Sequence, residues 1–111
     1  MHHLSMTEIA DSGEKHMENW LVKNGFKNVK IHRGQGSLPE IEADGSMENI
    51  LVHVKTVLTP GQHDKLNDEE KTKFIIRAAR LERVGYLAYV VIDNDKNLSG
   101  EIAWEKLRLL D

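Results

Sequence analysis

The sequence predicts a single α/β domain: a mixed sheet with a helix on each side. Three observations predict it. A segment of helical period opens the chain, three extended segments follow in close succession, and a second helical segment leads into an apolar strand. Its 111 residues fit one domain, expected over 1–111, with no room for a second core.

The first helix is expected from about Thr7 to Asn24. Ile9, Gly13, Met17, Trp20 and Leu21 fall on one face, and Gly25 stands where a helix-ending glycine belongs. Ser12, inside this stretch, is a residue that can restart or kink it. The first strand is expected over about Phe26 to Arg33, where Val29 and Ile31 alternate with Lys30 and His32. Gly34 to Ser37 reads as a loop, and a second strand follows over Leu38 to Ala43. Asp44-Gly45 is a hairpin-turn signal, and Asn49 to Val57, rich in Ile, Leu and Val, reads as a central strand. Thr59-Pro60-Gly61 breaks the chain, and Asn67 with Glu70 makes a capping box for a second helix. Phe74, Ala78 and Leu81 mark its buried face, and it is expected to end near Gly85. Tyr86 to Ile92 is apolar almost throughout, the signature of a strand buried on both faces. A short strand near Ile102 and a helical turn over Trp104 to Leu110 complete the expectation. Tight turns make the first three strands an antiparallel meander, and the helical crossover adds the fourth in parallel.

Hydrophobic residues make up 40% and charged residues 30% of the chain, a globular composition. The absence of cysteine excludes a disulfide framework and a thiolate metal site, and suits a reducing cytoplasm. No apolar run approaches the roughly 20 residues that span a bilayer, so no membrane partner is expected. Met1 to Ser5 lacks the apolar stretch of a signal peptide. The net charge of −3 counts mildly against nucleic-acid binding, yet charge is segregated: Lys23, Lys27, Lys30, His32 and Arg33 lie close together, and Asp64, Asp68, Glu69 and Glu70 form an acidic stretch. His16, His32 and His63 lack metal-ligand spacing with one another, and Trp20 and Trp104 read as core rather than base-stacking residues.

The chemistry-bearing segments are Pro39-Glu40-Ile41-Glu42-Ala43 and Val52-His53-Val54-Lys55-Thr56. Side chains alternate along a strand, so Glu40 and Glu42 share one face, as do His53 and Lys55. Pairing through the Asp44-Gly45 turn brings all four together and turns Ile41, Val52 and Val54 to the core. Carboxylates beside a lysine suit a hard cation such as Mg²⁺, held by one or two carboxylates with water and phosphate. Such a cation acidifies water and neutralises phosphate charge, and a lysine can orient the water or stabilise the phosphate. The same pattern is also that of a solvated sheet face with cross-strand ion pairs.

These residues resemble the signature of the PD-(D/E)XK nucleases: an acid after proline, a spacer, then acid-x-lysine on the next strand. Gly13-Glu14, Leu21 and Gly25-Phe26 resemble the opening of small resolvase-like nucleases, and Arg33-Gly34 with Gly36-Ser37 resembles the basic and serine-glycine loop of archaeal Holliday junction resolvases. The αβββαβ order matches that family, and the resemblance covers about residues 13–92. It implies a restriction-endonuclease-like fold and a metal-dependent DNA endonuclease, using Mg²⁺ or Mn²⁺ and acting on branched DNA as a homodimer. It also implies roles: Glu40 as principal metal ligand, Glu14 as helix carboxylate, the Val54 carbonyl as a further ligand, Lys55 as catalytic lysine, and Arg33, Ser37 and Lys30 as DNA contacts.

Two departures stand out. Glu40 is a methylene longer than the usual aspartate, and His53 stands where the family has an acid. Imidazole suits Mn²⁺ or Zn²⁺ better than Mg²⁺, and Glu42 is placed to supply the missing carboxylate. The alternative reading is a degenerate nuclease-fold module that binds nucleic acid or protein without cleavage.

Overall fold

The computed structural model describes residues 3–32, 40–61 and 66–107. The order is α1 (Met6–Lys23), β1 (Lys27–His32), β2 (Glu40–Asp44), β3 (Asn49–Leu58), α2 (Asp68–Arg80), β4 (Val84–Ile92) and β5 (Ala103–Lys106). The sheet runs β1-β2-β3-β4-β5. The β1/β2 and β2/β3 pairs are antiparallel, α2 carries the chain to a parallel β4, and β5 returns antiparallel. The domain is thus α/β, with a mixed sheet between two helices.

α1 begins one residue before the sequence suggests, because Ser5 and Glu8 form a capping box: each side chain bonds the other's backbone N–H at 3.1 Å. Ser12 does not break the helix; it is buried and its hydroxyl donates to the Lys96 carbonyl at 3.3 Å. Gly25, at φ +87°, takes the left-handed conformation that ends α1. α2 starts with the expected capping box between Asn67 and Glu70. It stops at Arg80, earlier than Gly85, because Glu82 reverses the chain at φ +58°. Gly85 lies instead in β4, beneath Phe74: a Cβ there would meet the Phe74 ring at 3.2 Å.

The expected helical turn over Trp104 to Leu110 is corrected in part: Ala103 to Lys106 form a strand beside β4, and 108–110 lie outside the described residues. Tertiary contacts decide it. Trp104 stacks on Tyr86 at 4.4 Å between ring centroids and meets Trp20 edge-on at 4.7 Å, while Lys106 Nζ reaches Glu48 at 3.1 Å. Pairing with β4 holds the segment extended despite its local helical pattern.

Each sheet face has its own core. On the α1 face Met17 and Leu21 pack on Ile41, Ala43, Ile50, Val52, Val54, Ala88, Val90 and Ile92. On the α2 face Phe74 and Ala78 pack on Leu51, Leu87 and Leu107. Each large side chain so buried stabilises the fold by about 1.5–3 kcal/mol before entropy is counted. The helices therefore fix which strand residues are core and which are left for chemistry.

Candidate functional site

The β2/β3 register places Glu40 opposite His53, Ile41 opposite Val52 and Glu42 opposite Leu51. Directly paired residues share a face, so Glu40, Glu42, His53 and, by alternation, Lys55 all lie on the α2 side. Ile41, Val52 and Val54 point to the α1-side core, as the alternation predicts. β2 pairs β3 only as far as His53, whereas β3 pairs β4 up to Leu58. Lys55 therefore sits just past the described start of β2, half-buried, with Tyr89 of β4 as its register partner.

Glu40 is 8% exposed, and α2 supplies its counter-charge. Arg77 Nε donates to Glu40 Oε1 at 2.8 Å and to Oε2 at 3.1 Å. His53 lies beside it, its ring edge-on to Phe74 at 5.4 Å. Burial pulls the His53 pKa below the usual value of 6.5; the Glu40 and Glu70 carboxylates pull the other way, and Lys55 adds to the lowering. At neutral pH the imidazole is thus uncharged, with a nitrogen lone pair to offer. Its Nε2 is buried and has no hydrogen-bond partner among the described residues. Glu40, His53, Leu66, Glu70, Lys73, Phe74 and Arg77 line one cavity of about 360 Å³.

The other expected site residues lie apart. Glu42, in the middle of β2, is engaged elsewhere, 3.3 Å from His32 Nε2 and 3.7 Å from Arg83 Nη2. Arg83 also donates to Asp44 Oδ1 at 2.9 Å, to the Ala43 carbonyl at 3.1 Å and to the Ile50 carbonyl at 3.3 Å. This makes Glu42 part of a clamp on the β2–β3 hairpin. Glu14 is 1% exposed and belongs to α1, on the opposite sheet face. A Cβ on Gly13 would fall 1.6 Å from Thr56 Oγ1, so α1 rests directly on β3 beside Lys55 in the chain. Lys30 is exposed on β1, opposite Glu42. Val54 has its side chain in the α1-side core. Arg33 and Ser37 lie outside the described residues.

Among the described residues no group of three or more His, Asp or Glu side chains is close enough to hold a metal ion. The fit to a divalent cation rests on two neighbours, Glu40 and the orphaned His53 Nε2. Two protein ligands suffice for a cation that keeps its waters and takes phosphate oxygens from a substrate.

Leu66, Glu70, Lys73 and Arg77 are the cavity residues that sequence reasoning did not place at the site. Arg77 follows Phe74 by three residues, so it flanks the buried stripe of α2, and that spacing was the available signal. Glu70 was legible only as a capping residue. Compared with known proteins, the chain matches no protein-family model and no curated protein. Among the described residues no helix is long and apolar enough to cross a membrane.

Proposed function

We propose that this chain is a metal-dependent DNA endonuclease of the PD-(D/E)XK type, with a restriction-endonuclease-like core, acting on branched DNA as a homodimer. The observation that carries the reading is the pairing of Glu40 with His53 across β2 and β3, with Lys55 two residues on along the same face. Glu40 and His53 would hold Mg²⁺ or Mn²⁺, with the Val54 carbonyl as a further donor; Glu14, buried on α1 at the other sheet face, lies outside this set. The cation supplies an acidified water and charge neutralisation at the phosphate. Lys55 orients the attacking water and stabilises negative charge that builds on the phosphate oxygens. A neutral His53 would offer a nitrogen lone pair, a donor that suits Mn²⁺ better than Mg²⁺. Arg77 lines the same cavity and would be placed to meet a phosphate there.

A second reading has its own observation. Arg77 already bonds both oxygens of Glu40, a cation where a metal would otherwise sit. On that reading the chain is a degenerate module that binds nucleic acid or protein and does not cut.

Cleavage assays on linear, flapped and four-way-junction DNA with Mg²⁺ and Mn²⁺ separate the two. The endonuclease reading expects cutting that is stronger in Mn²⁺, abolished by Lys55→Ala, and preserved or raised in Mg²⁺ by His53→Glu. Equal cutting by Lys55→Ala refutes the mechanism; binding with no cutting in either metal selects the module.

A further inference from the structure

α2 carries a row of cations that the nuclease signature does not include. Lys73, Arg77 and Arg80 follow one another by four and three residues, so they form one stripe along the helix. All three are exposed. Lys73 and Arg77 also line the cavity that holds Glu40 and His53. With Ile76 and Leu81 the three cations line a second, larger hollow of about 590 Å³. The two hollows share Lys73 and Arg77 and so are neighbours on α2.

The bland explanation is that basic residues late in a helix complement its dipole. That accounts for position, and for Arg77 and Arg80 only. Lys73 lies in the middle of the helix, paired among the described residues only with Glu69, an exposed i,i+4 contact at 3.3 Å of the weak kind that a phosphate can displace. Arg80 has no ionic or hydrogen-bond partner among the described residues.

We propose that the Lys73–Arg77–Arg80 stripe of α2 is the surface that grips the phosphate backbone of duplex DNA and leads it to the Glu40/His53 cavity. This rests on the endonuclease reading for the identity of the polyanion. Lys73 and Arg80 are about 10 Å apart along the helix axis, the length of about three base-pair steps at 3.4 Å each. The concave apolar floor formed by Ile76 and Leu81, 42% and 43% exposed, suits sugar edges between phosphates. A membrane surface calls for a protruding apolar face rather than a hollow.

The test is binding of a short labelled DNA duplex in EDTA, where no cleavage occurs, across a salt series. The full chain is compared with Lys73→Ala/Arg80→Ala, whose altered side chains are exposed and lie outside the proposed catalytic residues. The double variant should bind about tenfold or more weakly, and its log-log salt slope should fall by about two, near one per lost phosphate contact. The charge-keeping Lys73→Arg/Arg80→Lys pair should bind like the parent. Parent-like affinity and slope in the alanine variant overturn the proposal. So does parent binding to phosphatidylserine vesicles or polyglutamate with none to the duplex. Stripe-dependent binding without metal-dependent cutting leaves the surface standing and removes the endonuclease reading. Cutting with an unchanged KM in the alanine variant does the reverse.

Discussion

Arg77 Nε lies 2.8 Å from Glu40 Oε1 and 3.1 Å from Oε2, so an α2 guanidinium covers the carboxylate at the described start of β2. The carboxylate side chain is 10% exposed and the arginine 55%. Removing a partner from a fully buried pair costs about 3–5 kcal/mol; the solvent around Arg77 reduces this, so Arg77→Ala should destabilise by about 1–2 kcal/mol. The same change frees Glu40 and should tighten Mn²⁺ binding. Urea unfolding and a Mn²⁺ titration check both; a variant more stable than the parent, with Mn²⁺ affinity unmoved, contradicts the pairing.

His53 makes stability depend on pH. Its folded-state pKa lies below 6.5, mainly through burial, so below that pH the unfolded chain takes up a proton first. Stability from this residue is therefore full above about 6.5 and declines as pH falls beneath it. His53→Gln, which cannot titrate, should flatten this part of the profile. Urea midpoints measured from neutral to mildly acidic pH decide it, and parallel profiles for parent and variant would rule the effect out.

Gly13 is the point where α1 touches β3. Alanine there would put its Cβ 1.6 Å from Thr56 Oγ1 and 2.6 Å from Thr56 Cβ. The clash should outweigh alanine's better helix propensity and cost about 1–3 kcal/mol. Thr56→Gly in the same chain should recover part of the loss. Thermal melts of the single and double variants give the answer; an unshifted midpoint in Gly13→Ala means that the helix does not sit this close.

Arg83 clamps the β2–β3 hairpin through Asp44, Glu42 and two carbonyls, and its side chain is 16% exposed. Arg83→Met keeps much of the apolar stem and leaves these acceptors short of donors, so it should lose about 1–3 kcal/mol. Because Glu42 belongs to this clamp, Glu42→Gln should leave metal-dependent behaviour unchanged. Loss of Mn²⁺ binding in Glu42→Gln would return that carboxylate to the site.

The face shared by Glu40, His53 and Lys55 was legible in the sequence, because strand alternation and the Asp44-Gly45 turn are local signals. Both capping residues of α2 were legible for the same reason. Arg77 was not, since its reach to Glu40 depends on where the crossover lays α2 over the sheet. Glu42 looked equivalent to Glu40 by alternation, but Arg83, distant in sequence, engages it. A short strand near Ile102 was legible, but its run through Trp104 to Lys106 was read as a helical turn, because Trp104 is held extended by Trp20, Phe26 and Tyr86, none of them a neighbour in the chain. Leu81 suggested a longer helix by its apolar period, yet it is 43% exposed beyond the end of α2.

The most direct test of a cation held between β2 and β3 is a Mn²⁺ titration followed by electron paramagnetic resonance. The parent should take up Mn²⁺ and show hyperfine coupling to an imidazole nitrogen, and Glu40→Gln and His53→Gln should each weaken uptake by about tenfold or more. Uptake with no nitrogen coupling, or equal uptake by all three proteins, would place the cation elsewhere and remove the basis for the endonuclease reading.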